Sequence, residues 1–144
     1  MATGGGRVSN RHQQTFTALP KHIDANGHVN NAVWVRWMED LAVAHWLSDA
    51  LPEHVEAYAW VVTRHEIDYR GNVQLGAEVT GLTEIREGPK GARFTRHFTF
   101  TDTEGRELVR AKTSWAMVAR DTFRVMRVPA EVAAPFAPEG GWTT

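Results

Sequence analysis

Between His22 and Glu39 the chain gathers many groups that can hold, move or orient a proton. Asp24, Asn26, His28, Asn30 and Asn31 fall within eight positions. A carboxylate can act as nucleophile or general base, and an imidazole can shuttle a proton near neutral pH. Side-chain amides can fix a water or a carboxylate. An apolar stretch without Gly or Pro follows directly and predicts a helix. Its first N–H groups and a partial charge of roughly +0.5 would face the same loop. Such a helix end stabilises an oxyanion as readily as it binds phosphate, so the combination suits a hydrolytic site. Asp, Asn and Gly are also what any loop and N-cap would use, and composition alone does not separate the two readings.

Other chemistries find less support. His22, Asp24 and His28 could in principle hold a metal, but their spacing matches no standard zinc pattern and there is no H-E-x-x-H. The absence of cysteine removes disulfides, thiolate nucleophiles and zinc sites built on thiolates. Ser9, Ser48 and Ser114 do not sit in a G-x-S-x-G elbow.

The elements that must position these groups can be read along the chain. A strand is expected near residues 11–18, anchored by Phe16 and broken at Leu19-Pro20. The polar loop carrying Asp24 comes next. The helix should run over about residues 31–51, with Asn30 or Asn31 as N-cap and Pro52 marking its end. Val33, Trp34, Trp37, Met38, Leu41, Val43, Ala44 and Leu47 spread around much of its circumference, which predicts burial on most sides. Strand patterns follow at 58–69, 77–86, 93–101 and 107–119, separated by Arg70-Gly71-Asn72, a Gly-Pro cluster at 87–91 and Asp102-Thr103-Glu104-Gly105. Leu82 is out of phase in the second of these. The third alternates imperfectly around Phe94, Phe98 and Phe100, which suggests a bulge. Residues 122–128 could add a short piece. Only one crossover holds a helix and the later turns are short, so the sheet should be mainly antiparallel with five to six strands, and the class α+β.

At 144 residues, 42% of them hydrophobic and six of them tryptophan, the chain suits one packed domain. The expected organisation is a flexible leader over 1–10, a single domain over 11–129 and a loose Pro-, Gly- and Ala-rich tail over 130–144. The formal net charge of -1 gives no support to a nucleic-acid or anionic-membrane surface. Arg93, Arg96 and His97 cluster on one strand. The ordinary reading is a solvated face, and a lesser one is contact with a carrier's phosphates. No apolar run approaches the ~20 residues that span a bilayer. A cytoplasmic location is expected.

The string Asp24-Ala25-Asn26-Gly27-His28-Val29-Asn30-Asn31, with Trp34, Trp37, Met38 and Glu39 behind it, resembles the hallmark of hot-dog-fold acyl thioesterases, both the 4-hydroxybenzoyl-CoA and the acyl-ACP groups. His65-Glu66-Ile67-Asp68-Tyr69-Arg70, Leu75-Gly76-Ala77-Glu78-Val79 and the strand ending in Thr113-Ser114-Trp115 resemble later strands of the same family. The resemblance covers about residues 12–130. It implies one long helix wrapped by the sheet and hydrolysis of an acyl-CoA or acyl-ACP to a free acid and a thiol. Asp24 would then be the catalytic carboxylate, with Asn26 and His28 assisting. Some relatives use a helical glutamate instead, which makes Glu39 a second candidate, although a partner for a nearby Arg is an equal reading. Backbone donors at the helix start make Asn30 and Asn31 the substrate-binding positions.

No cofactor is implied; coenzyme A or the carrier's pantetheine is part of the substrate. A homodimer, or a homotetramer, is expected, because hot-dog domains cover their sheet edge by pairing and build active sites at that interface. The sequence 60–65 of one chain should lie near the other chain's loop. Two rivals remain. A hot-dog enoyl-CoA hydratase or dehydratase usually has D-x-N-P-x-H, whereas here Gly27 follows Asn26 and His28 comes one residue sooner. A non-catalytic acyl-CoA-binding domain would keep the pocket without the chemistry.

Overall fold

The structure, a computed structural model, describes residues 9–142. Strand β1 (Arg11–Thr17) is followed by a 3-10 turn (Pro20–His22), helix α1 (Asn31–Asp49) and a short helix α2 (Pro52–Ala57). Strands β2 (Tyr58–Tyr69), β3 (Glu78–Glu84), β4 (Arg93–Thr101) and β5 (Glu107–Ala119) then run in succession. A last short helix, α3 (Ala130–Ala133), continues into a 3-10 turn (Ala134–Phe136). The five strands form one sheet in the order β1-β3-β4-β5-β2, and every neighbouring pair is antiparallel. The connection from the β1 edge to the β2 edge carries α1 and α2, and α1 packs on β1 and β3. This is the α+β arrangement expected of a hot-dog fold.

Helix α1 starts where an Asn side chain can satisfy an orphaned first-turn donor: Asn30 Oδ1 accepts from Ala32 N–H at 2.9 Å. Trp34, Trp37, Met38, Leu41, Ala42, His45 and Trp46 are buried, at the spacing of one helical face. The expectation of burial on most sides is therefore too broad. Val43 and Leu47 stand 47% and 58% exposed on the opposite flank. The sheet can approach closely because Gly81 has no side chain: a Cβ there would lie 2.8 Å from both Leu41 Cδ1 and Phe100 Cε1.

Several boundaries differ from expectation, each for a local reason. The first helix ends at Asp49, and Pro52 opens α2 rather than merely closing α1, because a proline's missing N–H costs nothing at the first helical position. Strand β4 alternates regularly from Phe94 to Phe100. The residue that spoils the apolar pattern is Arg96, which points inward and is buried. The register irregularity lies instead between Phe100 and Thr101, with another in β2 between Val62 and Arg64. Residues 122–128 add only an isolated bridge, Val118 to Val125.

The termini are also more ordered than composition suggests. Ser9 and Asn10 are tied down by hydrogen bonds to Asp49 and Ile85, and residues 1–8 of the expected leader lie outside the described residues. Residues 130–136, read as loose, fold back onto the domain. Val132, Ala133 and Phe136 are almost fully buried against Trp46, Ile85, Phe94 and Met117. Buried apolar side chains at the right spacing outweigh a Pro- and Ala-rich composition, since Val132 and Phe136 each contribute ~1.5–3 kcal/mol on burial.

Candidate active site

The loop ahead of α1 is a short closed turn. Ile23 and Val29 form an isolated antiparallel bridge at its base. The backbone N–H of Asp24 donates to His28 O at 3.0 Å, and Gly27 N–H donates to Asp24 O at 3.0 Å. Gly27 has φ +81, a value that favours glycine and explains the residue between Asn26 and His28. Asp24 Oδ1 accepts from Asn26 N–H at 2.9 Å, which orients the carboxylate while leaving Oδ2 unengaged among the described residues. Asp24 and His28 are half-buried, and Asn26 is exposed.

His28 Nδ1 lies 3.1 Å from Asn26 O. A carbonyl can only accept, so Nδ1 carries a proton, and in the neutral imidazole Nε2 is then an acceptor with no partner among the described residues. The turn is joined to the β2–β3 connection by Val29 N–H to Val73 O and by Asn72 Nδ2 to Val29 O. Asn30 N–H is used by His22 O.

At the helix start the donors divide unevenly. Ala32 N–H goes to the Asn30 side chain and Val33 N–H to Asn30 O. Asn31 N–H has no partner among the described residues, and Asn31 is exposed. The Tyr69 hydroxyl reaches Asn31 O at 3.4 Å and marks the β2 end next to the loop. The structure thus brings Asp24, Asn26, His28, Asn30 and Asn31 together, with Asn30's side chain committed to the cap. Glu39 stands apart: it is exposed and lies eight residues into α1, about 12 Å along the axis from Asn31.

A second polar centre lies under α1, away from the loop. Arg96 Nη1 donates to His45 Nδ1 at 2.8 Å and to Thr83 Oγ1 at 3.1 Å. Because arginine never accepts, His45 Nδ1 is unprotonated and its Nε2–H donates to Ser9 O at 2.7 Å. Asp49 Oδ2 sits 3.3 Å from the same Nε2 and accepts from Ser9 N–H at 3.0 Å. Burial, with Arg96 beside it, pushes His45 down to about 3, so its contact with Asp49 joins a neutral imidazole to a carboxylate. Burial lowers Arg96 to about 9, against the pull of Asp49, and it stays charged at neutral pH. Arg96 is therefore no part of a solvated face. Its position midway between Phe94 and Phe98, in the inward phase of β4, was a sequence signal that could have found it.

Among the described residues no helix is long and apolar enough to cross a membrane, and no group of three or more His, Cys, Asp or Glu side chains could hold a metal ion.

A helix wrapped by this five-stranded sheet, with an acid-bearing turn at its N-terminus, defines a hot-dog domain. The chain belongs to the thioesterase-like superfamily, whose family model matches residues 18–136. A dodecanoyl-[acyl-carrier-protein] hydrolase from the chloroplast of Cinnamomum camphora is 28% identical over 112 residues, which is 76% of this chain and 26% of that protein. The chain thus spans about a quarter of that relative's length. The fold is shared with a 1,4-dihydroxy-2-naphthoyl-CoA thioesterase from Synechocystis (TM-score 0.73, 16% identity, 88% of this chain and 95% of that one). It is shared too with an acyl-ACP thioesterase from Bacteroides thetaiotaomicron (TM-score 0.76, 20% identity, 88% of this chain and 53% of that one).

Proposed function

We propose that this protein hydrolyses an acyl-CoA or acyl-ACP thioester, with Asp24 as nucleophile or general base and Asn31 N–H as the oxyanion donor. The observation that carries the reading is the presence, on one short turn and the helix start it leads into, of a half-buried, oriented carboxylate and an unengaged first-turn amide. The chemistry needs little more. A pantetheine thiol resembles cysteine, with a pKa of about 8.5, and leaves as thiolate without an acid. What remains is attack on the carbonyl and stabilisation of the charge that develops on its oxygen. His28 Nε2, as a free acceptor, suits the relay of a proton from water. Asn26 holds Asp24 through its backbone rather than its amide. The reaction needs no cofactor, and the soluble acyl carriers of the cytoplasm are its natural setting.

The working unit in this reading is a homodimer, alone or within a tetramer. Strand β2 is a sheet edge, and Val61 and residues 63–66 on it are exposed. An edge of that length invites pairing with a second copy. Two-fold pairing about the middle of β2 is antiparallel and sets the Trp60 end of one protomer against the Tyr69 end of its partner. That juxtaposition brings residues 60–65 of one protomer near the partner's Asp24 loop.

The test is thiol release from a panel of short, long and aromatic acyl-CoAs, by the native chain and by Asp24→Asn. The expected result is turnover lost in the variant with folding and acyl-CoA binding retained. Hydration of crotonyl-CoA without thiol release, or tight acyl-CoA binding with no turnover, would overturn it.

A further inference from the structure

A cavity of about 270 Å³ lies between α1, β2, β4 and the C-terminal turn. Trp46, Trp60, Phe94, Trp115 and Phe136 give it an apolar, aromatic wall. Exposed Val43 and Leu47 lie at its mouth, and buried Ile85, Phe94 and Phe136 at its floor. No carboxylate lines it. Arg120 is exposed, with its guanidinium on Tyr58 O, while Arg96 is the charged group in the buried part.

The guanidinium of Arg96 is only half used. Nη1 spends its hydrogens on His45 and Thr83. Nε and Nη2 have no protein partner among the described residues, yet neither is among the fully enclosed atoms that lack one. They are therefore not completely sealed off, and Arg96 is one of the residues that line this cavity. Donors on a charged group are costly to leave unmet, so an occupant gains by bringing an acceptor. Charge decides its kind. Asp49, whose side chain is 6% exposed, already balances Arg96 across a neutral His45. A second carboxylate would put an uncompensated anion in a low-dielectric space, whereas a neutral oxygen would not.

We propose that the cavity receives an acyl group bearing a neutral oxygen, a hydroxyl or ketone, on an otherwise apolar body, and that Arg96 selects for that oxygen. The inference rests on the thioesterase reading above, in which β2 pairing sets the cavity of one protomer beside the partner's loop.

The experiment compares kcat/KM for decanoyl-CoA, its ω-hydroxy and terminal methyl-ketone analogues and the decanedioic monothioester, in the native chain and in Arg96→Met. The native chain should favour the hydroxy and oxo chains over decanoyl-CoA by roughly tenfold or more, the worth of one hydrogen bond to a charged group. The decanedioic chain should rank below them, and Arg96→Met should bring the ratios near one. No preference in the native chain, a preference for the carboxylate, or ratios unchanged in the variant would overturn the proposal. Because Arg96→Met leaves His45 and Asp49 without their cation and could fail to fold, a measurement on the native chain stands beside it. The Nε–H resonance of Arg96 should shift on binding a non-hydrolysable ω-hydroxydecyl-CoA thioether and not on binding decyl-CoA thioether. An equal response to both would also overturn it. Absence of thiol release from every thioester would instead count against the thioesterase reading, and the resonance shift would still decide the role of Arg96.

Discussion

His45 Nδ1 and Arg96 Nη1 meet at 2.8 Å beneath the central helix, a hydrogen bond that requires the imidazole to be neutral. Burial, with Arg96 beside it, holds His45 at about 3, against an ordinary value of 6.5. The unfolded chain takes up a proton at this residue below about pH 6.5, while the folded chain does not until about 3. The stabilisation is therefore complete above pH 6.5 and is lost as pH falls toward 3, by ~1.4 kcal/mol per unit. Urea unfolding from pH 7.5 to 4.5 should show this slope, and His45→Gln should reduce it by about one proton's worth. An unchanged slope in the variant would place the acid sensitivity elsewhere.

Asp24→Asn should lower kcat by ~10²–10⁴ if the carboxylate carries the proton transfer. The amide oxygen can still accept from Asn26 N–H, the bond that shapes the turn. Stability should thus stay within ~0.5 kcal/mol of the native chain. Thiol-release kinetics and a thermal melt, run side by side, separate loss of chemistry from loss of fold.

Asn30→Ala removes the acceptor of Ala32 N–H. The expected cost is ~1 kcal/mol, a few degrees in Tm, with Asn30→Ser or Asn30→Asp restoring most of it. Activity should fall along with stability, because the same helix start presents Asn31 N–H. Full activity in Asn30→Ala would separate the cap from the chemistry.

Gly81→Ala tests the close contact of helix and sheet. The added methyl would press on Leu41, Phe100 and Phe16. Overpacking of this kind costs ~1–3 kcal/mol. Denaturant titration should show it as a lower midpoint, and a chain carrying both Gly81→Ala and Leu41→Ala should lose less than the sum of the two single losses, because the truncated side chain makes room for the methyl.

Subunit mixing tests whether one site draws on two protomers. Asp24→Asn lacks the carboxylate, and Ala59→Trp should block the cavity that Ala59 lines. Each should be nearly inactive alone. Co-refolded in equal amounts, they should recover roughly a quarter of native activity, because half the dimers are mixed and one site in each is intact. No recovery, with mixed dimers shown by mass spectrometry, would mean that loop and cavity act within one protomer.

Much of the fold was legible because its signals are local. The Asp24-to-Asn31 string, the Asn30 cap and the Gly105 turn act over a few residues, and β2, β4 and β5 fall where their patterns place them. Residues 130–136 were not legible. Their packing depends on Trp46, Ile85 and Phe94, which lie far back along the chain.

By itself the sequence determined the α+β class, the order of helix and strands, and the turn that carries Asp24, because neighbours along the chain set periodicity, caps and turns. Only the tertiary structure decided that Arg96 turns inward to a neutral His45, that Asn31 keeps a free N–H, and that Val43 and Leu47 border a cavity. These depend on partners tens of residues apart: Arg96 meets a histidine 51 positions away. A buried charge is tolerated only where such a partner arrives, and that is a property of packing.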